Sequence, residues 1–309
     1  MKNLSLILSV VTIVICLNNS LVAQQLGLQT LYNQNNYLIN PAAVGMDDVI
    51  TVDLNHRTQW VDIDEGPRLN TLLADMQFKG NHGVGLDVRG MKNGLIGNVN
   101  VKASYAYHLQ LNDNMHLSAG VSLGMIQQKL NTQDAIASDY TDELLVQGAQ
   151  SDVGFTSDIG LIFRWQKLKL GFAIPQVIAS GLIVDYGITS SKYKLVNHMN
   201  FLATYEVYNS GKWVAYPSIL YRNSGYKTHQ VDISANAMWN DLLGFGLMYR
   251  STYGFGGLLE VKIKDMYRLG YSYEFGAGNI TGLSRGAHEI MIGIKFGNNS
   301  KDKVVVANQ

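Results

Sequence analysis

The sequence predicts an all-β protein, a transmembrane antiparallel β-barrel of the outer-membrane type with about fourteen strands, short periplasmic turns and longer extracellular loops. Two observations lead to this fold class: apolar and polar residues alternate over long stretches, and short and long connections sort by the parity of the strand before them. The composition of 31 Gly, 17 Tyr and only 4 Pro suits many strands joined by turns. No apolar run after the first 23 residues approaches the ~20 residues of a membrane helix.

The segment before the predicted barrel has two parts. Residues 1–23 have the pattern of a secretory signal peptide, with Lys2 ahead of an apolar stretch and a polar end. The single cysteine, Cys16, lies within it, so we expect no disulfide and no thiolate metal site in the mature chain. Residues 24–48 are irregular and predict either a periplasmic segment or a plug, since no periodicity decides between the two.

The alternation is clearest in residues 98–127, which predict a long hairpin around a tight turn at Asn112, Asp113 and Asn114. Successive side chains of a strand point to opposite faces, so this hairpin has one apolar and one polar face. Each arm has about ten residues or more, which exceeds the ~5–6 of a typical soluble strand and matches the ~9–11 that cross a bilayer obliquely.

The same alternation predicts the other strands of a barrel spanning residues 49–296, with a flexible periplasmic tail at 297–309. In order, strands are predicted at 50–60, 68–78, 82–89, the two arms of 98–127, 155–165, 168–174, 197–207, 213–222, 228–238, 243–250, 257–264, 267–275 and 288–296. Two long connections, 128–154 and 175–196, separate some of them.

Connection length supports closure into a barrel. Short turns follow the even strands, at 79–81, 112–114, 166–167, 209–211, 240–241 and 265–266, whereas the connections after odd strands are mostly longer. Outer-membrane barrels have an even strand number, short periplasmic turns and long extracellular loops. A soluble β-sandwich with one solvated face is the competing interpretation, but it explains neither the parity nor the strand length.

The two faces of the predicted strands differ in chemistry. The outward face is apolar and carries aromatic residues near strand ends, as the interfacial girdle of a barrel requires. The inward face is polar, and its candidate lumen-lining residues are Asp53, Asp87, Arg89, Asp158, Arg164, Asp232, Arg250, Arg268, Glu274 and Glu289. Ionisable groups at membrane depth are usually functional, yet opposite charges across strands can equally brace a barrel, and both interpretations stay open.

No catalytic, cofactor or metal site is predicted. Residues 282–286 match the G-x-S-x-G pattern around Ser284, but that motif needs a following helix and here a strand pattern follows. Residues 128–154 contain several Asp and Glu whose spacing fits no EF-hand loop, so we expect a solvated extracellular loop rather than a calcium site. The balance of 24 basic and 24 acidic residues argues against a nucleic-acid partner.

Several ordered motifs resemble the PorP/SprF family of Bacteroidota. Residues 37–45 are similar to its Y-N-P-A-x-A-G opening, and residues 57–67 to its R-x-Q-W…G-P continuation. The matching positions are Asn40, Pro41, Ala42, Gly45, Arg57, Trp60, Gly66 and Pro67. Residues 83–86, 216–220, 271–273 and 288–290 are similar to later landmarks, so the resemblance spans about residues 24–296. One difference lies at Ile39, because the family usually has the Tyr and the Asn adjacent.

The resemblance implies an integral protein of the cell outer membrane, surrounded by its lipid, that works with other type IX secretion components and, in some members, in gliding motility. It further implies export and surface attachment of a secreted cargo or adhesin through the C-terminal domain of that cargo. The alternative function is a general porin or small-solute channel. A lipid hydrolase acting through Ser284 is a third possibility.

Overall fold

The strands form one closed antiparallel barrel. A computed structural model describes residues 26–47, 49–131, 150–179, 182–185, 190–193, 196–224, 228–251, 253–276 and 284–297. Within these residues the barrel strands are β1 Ile50–Thr58, β2 Arg68–Phe78, β3 His82–Asn93, β4 Ile96–Asn112, β5 Met115–Leu130, β6 Gln150–Trp165, β7 Leu168–Ala179, β8 His198–Tyr205, β9 Trp213–Ser224, β10 Thr228–Trp239, β11 Leu243–Arg250, β12 Gly254–Ile263, β13 Tyr267–Glu274 and β14 Ala287–Phe296. The predicted fold class and strand number are confirmed.

Each barrel strand pairs with its neighbours in the chain, and β1 closes the ring against β14. The pair Leu54 and Ile292 lies at the centre of that seam, and β8 bonds to both β7 and β9. Two short elements lie outside the ring: the strand Tyr208–Asn209 pairs with β9, and Leu182–Asp185 forms a small hairpin with Ser190–Tyr193. Among the described residues, no helix is long and apolar enough to cross a membrane.

The two ends of the barrel differ in their connections. The connections 79–81, 113–114, 166–167, 206–212, 240–242 and 264–266 lie at one end, which we call the turn end. Paired positive φ angles of 50° and 50° at Asn240 and Asp241 mark one of them as a type I′ turn, which matches the strand twist. The opposite end, the loop end, carries the long connections after β1, β5, β7 and β13 but short ones after β3, β9 and β11.

Several strands are longer than the alternation predicted. The predicted connection at 128–154 is too long, because β5 extends to Leu130 and β6 begins at Gln150. β7 likewise extends to Ala179, so the connection predicted at 175–196 starts too early. The reason is that apolar alternation stops where a strand leaves the lipid, whereas backbone pairing continues beyond that point.

Residues 26–46 lie inside the barrel, and we call them the lumen plug. They contain the 3₁₀ helices Leu31–Asn33, Asn36–Leu38 and Pro41–Ala43. Tyr32, Tyr37 and Val44 of the plug are buried with wall residues that include Leu73 and Leu202. An irregular segment can be buried here because the wall supplies hydrogen-bond partners for its backbone.

Glycines in the wall make room for the plug. A Cβ added to Gly83 would lie 2.0 Å from the carbonyl oxygen of Val44, and one at Gly160 would lie 2.0 Å from Asn40 Oδ1. A Cβ at Gly120 would lie 2.5 Å from the backbone nitrogen of Ala42. These inward positions on β3, β5 and β6 therefore fit the plug only as glycine.

Candidate functional site: the plugged lumen

The lumen plug runs from the loop end of the barrel towards the turn end. Near its start, the backbone N–H of Thr30 donates to Glu289 Oε2 at 2.7 Å, at the loop end of β14. Near its end, the N–H of Gly45 donates to Asp75 Oδ2 at 2.8 Å, in the turn-end half of β2. The chain then enters β1 at the turn end, so the plug and β1 run in opposite directions.

A cluster of arginines and carboxylates surrounds the start of the plug. Arg57 lies 2.6 Å from Glu274 and 3.1 Å from Glu289. Arg250 bridges Glu274 at 2.8 Å and Asp232 at 2.9 Å. Every one of these side chains is buried, so each charge depends on its partners for compensation.

The plug completes this arginine–carboxylate cluster. The Thr30 hydroxyl donates to Glu274 and accepts from Arg57 at 2.9 Å. The carbonyl oxygen of Gln29 accepts from Arg222 at 3.2 Å and from Arg250 at 3.3 Å. Hydrogen bonds to charged groups are stronger than neutral ones, so these contacts fix the plug firmly at its loop-end half.

Two further ion groups hold the middle of the plug. Lys102 lies 2.5 Å from Asp158 and 3.7 Å from Asp87, and Arg89 bonds Asp87 while donating to the carbonyl oxygen of Leu38 at 3.0 Å. On the opposite wall, Arg268 lies 2.7 Å from Asp53 and also donates to the carbonyl oxygen of Gln34, while Asn35 donates to Asp53.

Further side chains of the wall and the plug complete the attachment. The Tyr37 hydroxyl donates to Ser104 Oγ at 2.7 Å. Burial raises the pKa of Tyr37, so this hydroxyl stays protonated and keeps its role as donor. Lys169 donates to Asn36 Oδ1 at 2.7 Å, and Asn200 donates to the carbonyl oxygen of Ile39 at 3.1 Å.

A cavity of about 80 Å³ remains on the loop-end side of the plug. Three of its lining residues carry buried polar atoms without a protein partner: Asn100 Oδ1, His198 Nε2 and Ser224 Oγ. A polar space of this size holds a few water molecules but no drug-sized ligand. Within the described part of the chain, no group of three or more His, Cys, Asp or Glu is placed to hold a metal ion.

Comparison with known proteins identifies the family of this chain. The model of the family described as type IX secretion system membrane protein PorP/SprF matches residues 21–294. The chain belongs to the PorP/SprF family. The resemblance that its motifs carry is therefore confirmed, and this PorP/SprF protein is an integral outer-membrane barrel of the type IX secretion system. No curated protein matches the chain.

Solved structures share the fold of this PorP/SprF barrel at low sequence identity. The CymD monoaromatic hydrocarbon channel is 10% identical, with a TM-score of 0.52 over 90% of this chain and 95% of that chain. The Pseudomonas putida toluene transporter TodX is 11% identical, with a TM-score of 0.51 over 91% of this chain and 95% of that chain. At such identity the likeness concerns the fold alone.

The residues of the PorP/SprF motifs lie in two places. In the plug, Asn40 donates to the carbonyl oxygens of Leu161 at 3.0 Å and Phe172 at 3.1 Å, and its Oδ1 accepts from the N–H of Ala42 at 2.9 Å. Pro41 is buried beside them. Gly45 has a φ of 66°, and a Cβ there would lie 2.6 Å from the carbonyl oxygen of Met76.

The remaining motif residues lie on β1 and in the loop that follows it. Arg57 lies in the arginine–carboxylate cluster, whereas Trp60, Gly66 and Pro67 belong to the loop between β1 and β2. The N–H of Gly66 donates to the carbonyl oxygen of Ile63 at 3.1 Å, and the carbonyl oxygen of Pro67 accepts from Gln59 at 2.8 Å. The second motif thus links one buried cation of the lumen to a compact loop at the loop end.

The ten candidate lumen-lining residues all lie at inward strand positions, buried or half-buried. Arg164 is half-buried near the turn end of β6, and the others are the charged groups of the three ion groups described above. Three participants were missed: Lys102, Arg222 and Thr30. Alternation already placed Lys102 on the polar face of its hairpin, but nothing in the local sequence indicates the part that Thr30 plays.

The structure locates Ser284 and one of the acidic residues that were considered for calcium binding. Ser284 accepts a hydrogen bond from the N–H of Gly286 at 3.1 Å, and β14 rather than a helix follows it. Of the acidic residues considered for calcium, Asp152 lies on β6, while Asp134, Asp139, Asp142 and Glu143 lie outside the described residues.

Proposed function

We propose that this PorP/SprF barrel holds a secreted cargo or adhesin at the cell surface, by binding the C-terminal domain of the cargo at the loop end, in cooperation with other type IX secretion components. In some cells such attachment serves gliding motility. The observation that carries the proposal is the lumen plug, which occupies the route that a translocated chain or solute would take. The barrel then acts as an anchor at the surface and not as the conduit.

The energetics of the plug favour this anchoring role. Its backbone and hydroxyl groups bond directly to buried Arg57, Arg250, Glu274 and Glu289. Withdrawal of the plug would leave these buried charges with fewer partners, and a buried charged group without its partner costs several kcal/mol. A barrel that opened and closed in its normal cycle would have to supply that free energy each time the plug withdrew.

The test is a pull-down of tagged protein from native outer membrane in mild detergent, with the co-purifying chains identified. Stoichiometric recovery of a large secreted protein, lost when its C-terminal domain is deleted, is the expected result. An unrelated tagged barrel expressed at the same level controls for nonspecific capture. Recovery of the barrel alone, under conditions that preserve other outer-membrane complexes, would overturn the proposal.

A small-solute channel is the second candidate, because CymD is described as a hydrocarbon channel and TodX as a toluene transporter, and both share this fold. Planar-bilayer recordings separate the two functions. We expect the wild-type barrel to show no steady conductance, since the plug occupies the lumen and the cavity on its loop-end side has a volume of about 80 Å³. A steady open conductance without any partner would favour the channel.

A further inference from the structure

The outward surface of β2 to β5 carries a row of basic residues at the loop end. Arg68 is the first residue of β2 and pairs directly with Lys92 of β3. Lys92 pairs with Gly97 of β4, which in turn pairs with Lys129 of β5. Arg68, Lys92 and Lys129 are all exposed, and adjacent strands lie ~4.8 Å apart, so Lys92 and Lys129 are separated by about 10 Å.

Gly97 leaves a notch between the two lysines. A Cβ at Gly97 would meet only the carbonyl oxygen of Met91, at 3.8 Å, so the absence of a side chain opens space on the surface. Glu65 lies at one edge, where its Oε2 is 2.8 Å from Lys92 Nζ and both side chains are exposed. These four charged side chains together carry a net charge of +2, from three cations and one carboxylate.

The rest of the loop-end rim has different chemistry. In the described residues, the outward side chains at the loop ends of β8 to β14 include no Lys or Arg. They are instead largely aromatic residues and histidines, with the Tyr221 hydroxyl 2.6 Å from His229 Nδ1 and the Tyr271 hydroxyl 2.7 Å from His288 Nδ1. Among the described strand ends, the positive row is therefore confined to one side of the barrel.

A groove of about 380 Å³ lies on the lipid-facing surface of β14, β1, β2 and β3, below Arg68 and Lys92 of the basic row. Its walls are aliphatic, formed by Leu54, Leu72, Val88, Ile290 and Ile292. Between these walls and the row lies one polar pair, with His56 Nδ1 2.7 Å from Asn70 Oδ1. Gly90 keeps the groove open, because no atom lies within 4 Å of the position of its Cβ.

From the basic row, the notch and the groove, we infer that this face binds one phosphate-bearing acylated glycolipid of the outer leaflet, the lipid A class. Its phosphates contact Arg68, Lys92 and Lys129, its sugar lies by the polar pair, and one acyl chain fills the groove. From the loop end towards the middle of the barrel, the order of cations, polar groups and aliphatic wall matches the order of phosphate, sugar and acyl chain in such a lipid. This site faces the lipid on the side of the barrel, and its assignment does not depend on the proposed cargo binding.

The test is native mass spectrometry of the folded full barrel in non-ionic detergent, titrated with lipid A, with lipid A lacking phosphates, and with phosphatidylglycerol. The triple variant Arg68→Gln, Lys92→Gln, Lys129→Gln should lower lipid A binding at least ~10-fold, since it removes three phosphate contacts. The matched triple variant Lys79→Gln, Lys167→Gln, Lys264→Gln, with the same charge change in turn-end turns, should bind like wild type. A heat-dependent gel shift verifies that each variant is folded.

A second variant tests the groove. Gly90→Leu introduces an aliphatic side chain into the groove without altering any charge, and we expect severalfold weaker lipid A binding with the same gel shift. Equal binding by the Arg68/Lys92/Lys129 variant and wild type, or by lipid A with and without phosphates, would overturn the site. Equally tight binding of phosphatidylglycerol would overturn the assignment to a glycolipid, and unchanged binding by Gly90→Leu would overturn the acyl-chain position.

Discussion

The buried arginines and carboxylates at the start of the plug compensate one another within one shared cluster. Arg57 contacts Glu274, Glu289 and the plug hydroxyl of Thr30 and has no exposed surface. Removal of this cation would leave Glu289 uncompensated and Glu274 with Arg250 as its remaining cation. Alternation could predict which charged residues point inward, because the face of a residue depends on its position in its own strand. It could not predict the partner of each charge, because the partners lie on other strands.

We predict that Arg57→Gln destabilises the barrel by about 3–5 kcal/mol, because it leaves buried Glu289 without a cation and buried Glu274 with Arg250 alone. The measurement is urea unfolding in detergent, followed by tryptophan fluorescence. Arg285→Gln is the matched control, since Arg285 pairs with Asp62 in an exposed loop and should give no measurable change. Equal stability of the two variants would show that the cluster contributes nothing to the fold.

We also predict that Gly160→Ala destabilises the barrel by about 1–3 kcal/mol, because its Cβ would overlap Asn40 Oδ1 and force the plug to move. Gly257→Ala serves as the control, since a Cβ there would meet only one atom, at 3.9 Å. The same unfolding experiment compares them. A Gly160→Ala protein as stable as Gly257→Ala would mean that the plug does not press against this wall.

Among the structural elements, the strands were predicted well and the plug was not. The two faces of each strand can be read from local alternation, as in β4, where Lys102 and Ser104 are buried and Val101 and Tyr105 are exposed. The position of the plug depends on partners far away in the chain, such as the bond from Asn40 to Leu161. No periodicity encodes such a contact, so the sequence left a periplasmic segment and a plug as equal alternatives.

For the plug we predict that Thr30→Val weakens its loop-end attachment, because valine keeps the shape but loses the bonds to Arg57 and Glu274. Hydrogen–deuterium exchange should become at least severalfold faster at residues 29–33 and stay unchanged in the strands. Thr58→Val, which alters an outward hydroxyl on β1 that contacts His56, should leave plug exchange at the wild-type rate. Identical exchange in both variants would contradict the attachment.

The molecule as a whole places its lipid-facing band between two rims. Leu247 of β11 points outward at mid-strand with 73% of its surface exposed, whereas Met266 lies in a turn at the turn end. We predict that Leu247→Arg destabilises the barrel by about 2–4 kcal/mol in lipid vesicles, because arginine is costly at the bilayer midplane. Met266→Arg should have little effect. A larger loss of stability for Met266→Arg than for Leu247→Arg would place the membrane band elsewhere on the barrel.

The order of the plug and the strands along the chain also constrains how the molecule is assembled. The plug precedes β1, and the seam that closes the ring joins β1 to β14, the first and last strands of the ring in chain order. Around the seated plug the wall leaves so little room that Gly83, Gly120 and Gly160 cannot carry even a methyl group. To enter a finished ring, the plug would therefore have to pass through a lumen narrower than the plug itself. We expect the insertion machinery to complete the seam around a plug that is already in place.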